Sequence, residues 1–205
     1  MSLVTEKQAN TALAIDRSIS DNKGDQLALR YRDKRYSYND LAALMNRAGN
    51  MLRKHGVAAG DQIIVAVSAS PSLVASVLGA TKIGATAVVA SAGASGQAVA
   101  GLDNAKLLIV DAPRLSEFDG IGLKRLVVGD AEPDQLSFLQ EMRSSSSSLG
   151  FSSDRNDAPA FGIVSSNKVV WFGHDQIANA DSTLEQFDIG RILARLIRGE
   201  DAALA

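Results

Sequence analysis

Apolar residues follow two distinct patterns along this chain. In Gln62–Ser68, Ala85–Ala90, Lys106–Asp111 and Lys124–Asp130 they run almost unbroken, as QIIVAVS, ATAVVA, KLLIVD and KRLVVGD. Strands covered on both faces read this way, as in parallel sheets. Between these runs the apolar residues return every three or four positions. Ser37-Tyr38-Asn39-Asp40 opens a helix, with Ser37 as N-cap and Asp40 at N3. Leu41, Leu44, Met45, Ala48, Met51 and Leu52 form its single stripe, and Gly56 closes it after Arg53, Lys54 and His55. A histidine at that helix end, beside two cations, is expected to be solvated. Ser70-Pro71 starts a second helix carrying Leu73, Val74, Val77, Leu78 and Ile83, with Gly84 as its stop. Shorter helices are expected over 11–20, 97–104 and 133–143. Strands alternating with helices predict an α/β fold, a doubly wound and mostly parallel sheet with flanking helices. Leu27–Tyr38, which turns at Asp33-Lys34, adds an N-terminal β-hairpin.

The second half departs from this rhythm. Ser144–Ser148 is a run of serines continuing through Ser152-Ser153, so 144–153 reads as a flexible Ser-rich loop inside one domain spanning 1–205. Further on, Ser182-Thr183-Leu184-Glu185 has the form of a capping box. Leu184, Phe187, Ile189, Ile192, Leu193, Leu196 and Ile197 follow as a wide stripe, which predicts an amphipathic helix over 182–199. Such a helix covers its own domain or meets a partner.

Between these stretches lies Ala158–Ala180, APAFGIVSSNKVVWFGHDQIANA. Phe161, Ile163 and Val164 lead into Ser165-Ser166-Asn167-Lys168, and Val169, Val170, Trp171 and Phe172 lead out. Apolar β-branched and aromatic residues around a small polar cluster mark a hairpin. A loop that cradles phosphate needs glycines, so that backbone N–H groups can converge on the anion. No glycine stands between Val164 and Val169.

Composition narrows the functional classes. The chain has 205 residues, 46% hydrophobic and 21% charged, with a net charge of −2. That profile fits one globular domain and gives no basic footprint for nucleic acid. No apolar run reaches membrane-spanning length, and MSLVTEKQAN has no signal-peptide core, so a cytoplasmic location is expected. With no cysteine, disulfides, thiolate metal sites and a cysteine nucleophile are excluded.

The hairpin carries a resemblance. Asp157-Ala158-Pro159-Ala160-Phe161, Ser165-Ser166, Lys168-Val169 and His174 resemble the phosphate-loop region of adenylate-forming enzymes, which include the acyl-CoA synthetases, peptide-synthetase adenylation domains and luciferases. In that family a loop of the form Ser/Thr-Ser-Gly-Thr-Thr-Gly-x-Pro-Lys-Gly precedes a second strand and a histidine. Ser165 and Ser166 match its first two positions, Lys168 its lysine and His174 its histidine. The Gly-Thr-Thr-Gly between them is missing, and Val169 replaces the glycine after the lysine. Ala28-Leu29-Arg30-Tyr31, Ser37–Leu41, Gly56–Asp61, Ser70-Pro71 and Lys82–Ala85 are similar to the opening of the same enzymes, in the same order. A proline that the family carries after the strand containing Val88 is replaced by Ala90-Ser91.

The resemblance implies the N-terminal subdomain of the adenylate-forming fold with the phosphate loop deleted. The family's later motifs and its C-terminal domain with a catalytic lysine have no counterpart, so a truncated relative is expected. No residue is assigned a catalytic role. The vestigial phosphate-loop positions Ser165, Ser166, Asn167 and Lys168 are the only nucleotide-binding candidates. Asp111 and Asp130 end strands where doubly wound sheets bind ligands, but such aspartates usually cap the next turn. Gly93-Ala94-Ser95-Gly96 lacks a dinucleotide-binding spacing. No metal and no cofactor is expected. The favoured expectation is a catalytically inactive protein acting through protein contacts, as a homo-oligomer (a dimer) or with a protein partner, with Trp171, Phe172 and the Leu184–Ile197 stripe partly buried between subunits. The alternatives are a module that binds an acyl group, CoA or ATP/AMP, and one part of a split AMP-forming acid–thiol ligase.

Overall fold

The computed structural model describes residues 10–150, 158–165, 168–179 and 182–204. Helix α1 (Leu13–Ser18) runs into an irregular turn in which Asn22 has a φ of 61°. The hairpin of β1 (Leu27–Tyr31) and β2 (Lys34–Ser37) follows, then α2 (Tyr38–Lys54). β3 (Gln62–Ala66), α3 (Pro71–Lys82), β4 (Thr86–Ala90), the single turn α4 (Gly96–Val99) and β5 (Ala105–Asp111) come next. After a tight helical turn over Ala112–Phe118 come β6 (Lys124–Val128), β7 (Leu136–Ser137) and α5 (Phe138–Ser144). β8 (Phe161–Ser165) and β9 (Lys168–Phe172) lead to α6 (His174–Ala178), a tight turn over Ser182–Gln186, α7 (Asp188–Ile197) and β10 (Ala202–Leu204).

Among the described residues these strands make two sheets. The larger has the order β7-β6-β5-β3-β4-β8-β9, and the smaller has the order β10-β1-β2. Every pairing in the larger sheet is parallel except β8 with β9, which is antiparallel. The uninterrupted apolar runs are therefore its inner strands, as a sheet buried on both faces requires. Alternate residues serve different cores. Ile63, Val65, Ala87, Leu107 and Ile109 join the large core beneath α2, α3 and α7. Ile64, Ala66, Val88, Leu108 and Val110 join a smaller one with Phe118. The sheet thus has one thickly covered face and one thinly covered face.

The two long helices form as their sequence dictates. The Ser37 side chain accepts from the Asp40 N–H at 3.1 Å, and the Asp40 carboxylate accepts from the Ser37 N–H at 2.9 Å. Gly56, at φ +86°, ends that helix as the only residue type that enters this conformation without strain. Ser70 caps α3, with Pro71 in its first turn. α2 and α3 cross closely. A β-carbon on Gly79 would sit 2.7 Å from the Ala48 β-carbon and 2.8 Å from the Gly49 nitrogen. Tyr38 secures the C-terminal segment to α2, its hydroxyl donating to the Leu196 carbonyl at 3.2 Å or the Glu200 carbonyl at 3.1 Å. Burial, with Glu200 and Asp201 nearby, pushes this phenol up to about 12.

Elsewhere the elements differ from their sequence outlines. The helix expected over 11–20 starts at Leu13 and passes from Ile19 into the irregular turn, and that expected over 97–104 is one turn. The one expected over 133–143 begins only at Phe138, because Ser137 caps it and Leu136-Ser137 pair with β6 instead. The helix expected over 182–199 splits, with α7 starting at Asp188. Gly190 lies against the Leu184 carbonyl, so the chain doubles back there rather than continuing as one helix. The serine run is tied down at its start. Arg47 donates to the carbonyls of Met142, Arg143 and Ser145, Asn46 to that of Ser147, and Asn50 to those of Ser146 and Ser148. The polar side of α2 holds the backbone of a stretch whose composition reads as flexible. Residues 151–153 lie outside the described residues.

Candidate functional site

In a doubly wound sheet, ligands bind at the carboxyl ends of the strands. Here β3, β4, β5 and β8 run parallel and end together at Ala66, Ala90, Asp111 and Ser165. Ala90 is level with Val164, so Ser165 falls beside the first residue after β4. This edge is where the phosphate-loop candidates lie.

The hairpin is in register from Phe161 opposite Phe172 to Ser165 opposite Lys168. The pairing runs to the tip, and two residues join the strands. Ser166 and Asn167 are those two and lie outside the described residues. Ser165 and Lys168 are brought face to face, and the Lys168 side chain is exposed. Gly162 lets Trp171 lie close to its partner strand. A β-carbon there would meet the indole at 2.9 Å and Val169 at 2.7 Å.

At the neighbouring strand ends, Asp111 and Arg114 are bound within the chain. The crevice between β3 and β5 is the topological switch point, because the chain leaves β3 toward β4 and leaves β5 toward β6. Asp111 sits there and accepts from the Ser68 N–H at 2.8 Å and the Ser68 hydroxyl at 2.6 Å. Arg114 pins the loop after β4. Its guanidinium donates to the carbonyls of Ala90 at 2.8 Å, Ser91 at 3.0 Å and Ala94 at 3.2 Å, while Nε binds Glu117 at 2.9 Å. Arg114 also lies over the Phe118 ring, 5.6 Å from its centre. Nothing in its local sequence marks Arg114 for this role, since its acceptors are backbone atoms twenty or more positions back. Asp130 is exposed, beyond the end of β6.

The two histidines both make contacts within the chain. His174 is 4% exposed, and its Nδ1 accepts from the Thr11 N–H at 3.1 Å and lies 2.8 Å from the Thr11 hydroxyl. Burial lowers its pKa, against a raising effect of Asp175. His55 is not solvated as expected. Its side chain is 7% exposed and Nε2 lies 3.0 Å from Glu141, which Lys54 also binds at 2.7 Å. The hydrogen bond from Lys54 holds the Glu141 carboxyl below its usual range, with His55 adding to the effect against desolvation.

The surfaces expected between subunits divide. Phe172 is buried in its own chain, stacked on Phe161 with ring centres 5.1 Å apart and meeting Phe187 edge-on at 5.8 Å. Leu184, Ile189, Ile192, Leu193 and Leu196 are likewise buried against the large core. This happens because α7 packs back over α1 and α6 instead of extending outward. Trp171 stays 38% exposed and Val170 40% exposed.

A cavity of about 460 Å³ opens between β1, α7, β10 and Ala69, away from the β8–β9 tip. Its arginines are engaged: Arg30 pairs with Asp201 at 3.0 Å, Arg191 pairs with Asp188, and Arg195 donates to the Asp201 carbonyl at 2.7 Å. Among the described residues, no three His, Asp or Glu side chains converge as a metal site. No described helix is long and apolar enough to cross a membrane.

Comparison with known proteins agrees with this geometry. The family model described as AMP-binding enzyme matches residues 15–169. A 3-hydroxybenzoate–CoA/4-hydroxybenzoate–CoA ligase of Thauera aromatica is 42% identical over 74 residues, covering 36% of this chain and 14% of the ligase. Among solved structures, the anthranilate CoA ligase AuaEII, in complex with anthranoyl-AMP, superposes with a TM-score of 0.82 at 18% identity, over 97% of this chain and 45% of that one. An acyl-CoA synthetase of Brucella canis superposes with a TM-score of 0.81 at 18% identity, over 96% of this chain and 43% of that one. This chain therefore spans less than half the length of the enzymes whose fold it shares.

Proposed function

The chain belongs to the AMP-binding enzyme family, and from that premise we propose that it is a catalytically inactive relative of the acyl-CoA synthetases, acting through protein–protein contacts as a cytoplasmic homodimer. The β8–β9 connection carries this reading. Two residues without glycine add at most two backbone N–H groups beyond the paired strands. A polyphosphate is held by several such groups converging from a loop that can adopt positive φ. Lys168 is the remaining cation of the motif, and a lone exposed ammonium gives a weak, screened attraction.

The strand ends beside the hairpin support the same reading. An anion seated there would compete with the carbonyls that hold Arg114, and a cation at the switch point would compete with Ser68 for Asp111. We assign no catalytic residue, nucleotide, cofactor or metal to the protein.

Calorimetry of the purified chain with millimolar ATP tests this. No saturable heat is expected, and saturable binding of ATP or AMP overturns it. A thermal shift with an acyl-CoA would move the function to a small-molecule pocket. Pyrophosphate release on addition of cell extract and candidate acids would identify a part of a split ligase.

A further inference from the structure

Among the described residues, the large exposed hydrophobic ones are not scattered. Leu136, Leu139, Val170 and Trp171 all lie at the two ends of the larger sheet, on or beside its edge strands β7 and β9. β7 is only two residues long, whereas β9 offers five, with its outer edge unpaired among the described residues. Natural edge strands are usually blunted by charged side chains, a proline or a bulge. β9 has no proline and no bulge, and its one charge, Lys168, stands at its first position. Val169, Val170 and Trp171 fill its middle, and its register with β8 is unbroken.

The charges flanking this edge are arranged for self-pairing. Lys168 opens the strand and is exposed. Asp175 is exposed just past its end, with its carboxylate lying against Gly173. Neither forms an ion pair with a described residue. When two copies of β9 meet antiparallel about a two-fold axis at Val170, each Lys168 comes opposite Phe172, one residue short of the partner's Gly173 and its adjoining carboxylate. Unlike charges then lie near each other twice, at both ends of an otherwise uncharged contact. A parallel pairing would instead set lysine beside lysine. We propose that β9 is the homodimer surface, joining the sheets of two copies edge to edge through an isologous antiparallel contact.

This proposal rests on the protein-contact reading above and deepens it by naming the partner and the surface. Val170→Lys is an exposed substitution that places two ammonium groups side by side at the axis, where like charges repel. Lys168→Glu and Asp175→Lys each set like charges together at both ends.

Sedimentation velocity over a micromolar concentration series reads the outcome. The 205-residue protein is expected to dimerise reversibly, and V170K to sediment as a monomer with an unchanged far-ultraviolet spectrum. K168E and D175K are each expected to raise the dissociation constant on the order of ten-fold, from two reversed pairs, and the double swap to restore it. A monomer throughout the series overturns the proposal. So does a dimer indifferent to V170K and both swaps, or one in which the double swap restores nothing. Titration of the same samples with ATP separates the two readings. A monomer that ignores ATP loses only the dimer, whereas saturable ATP binding overturns the inactive assignment whatever the oligomeric state.

Discussion

Thr11 and His174 lie 163 positions apart in sequence, yet a buried imidazole nitrogen joins them. Asn10 adds a bond to the Thr81 carbonyl at 2.8 Å, so residues 10–12 fasten α3 to the start of α6. The fastening depends on a neutral ring, because an imidazolium Nδ1 cannot accept the Thr11 N–H. Burial depresses the folded-state pKa below the ordinary 6.5. Above that value both folded and unfolded chains carry a neutral ring, and the contribution is fully present. As pH falls through 6.5 the unfolded chain takes the proton first, and stability declines until the folded pKa is passed. Urea midpoints are therefore expected to fall between about pH 7.5 and about pH 5.5. His174→Gln should be less stable at neutral pH by about 1 kcal/mol and less sensitive across that window. An unchanged pH slope in the variant would assign the effect to other groups. The resemblance marked His174 as a family position, but no local pattern could name Thr11 as its partner.

At the scale of elements, the contact between α2 and α3 depends on the lack of a side chain. Alanine is the better helix former by up to about 1 kcal/mol. At Gly79, however, its methyl would meet the Ala48 β-carbon, the Gly49 nitrogen at 2.8 Å and the Met45 carbonyl oxygen at 3.0 Å. Two of these are backbone atoms, so the helices must separate. Overpacking typically costs about 1–3 kcal/mol, which exceeds the propensity gain. Gly79→Ala is expected to lower the melting temperature by a few degrees, and a rise would show that the helices yield freely. The helices and inner strands were legible because their signals are local: a capping box, a proline after a serine, a continuous apolar run. The ends of α5 and α7 were not. Ser137 competes as a cap within a stretch of uniform helical pattern, and the fold of the chain at Gly190 depends on Leu184 packing from outside the helix.

Taken as a whole, the molecule is asymmetric about its sheet. The large core lies under α2, α3, α5 and α7, whereas among the described residues the other face has one helical turn and the short helix over 112–118. Local opening follows the buried contacts that resist it. In native-state hydrogen exchange, amides of β3 and β5 are expected to exchange at the slow, global limit, and those of α4 and residues 112–118 well before them. Equal protection on both faces would contradict this asymmetry. The fold class was readable because parallel strands buried on both faces need apolar residues at every position. The candidate site was readable only as a missing stretch between Ser166 and Lys168. The contacts at the strand ends beside it, Arg114 on backbone carbonyls and Ser68 on Asp111, emerge only in three dimensions.

In the smaller sheet, Leu29 pairs with Ala202 and Tyr31 with Leu204. During translation, at about 5–20 residues per second, roughly ten to thirty seconds separate the emergence of such partners from the ribosome. Through that interval the nascent β1–β2 ribbon has one margin unsatisfied, and only the arrival of β10 closes it. A chaperone able to shield a lone hairpin would have its window of action there, while the strands from β3 to β9 emerge and offer competing edges.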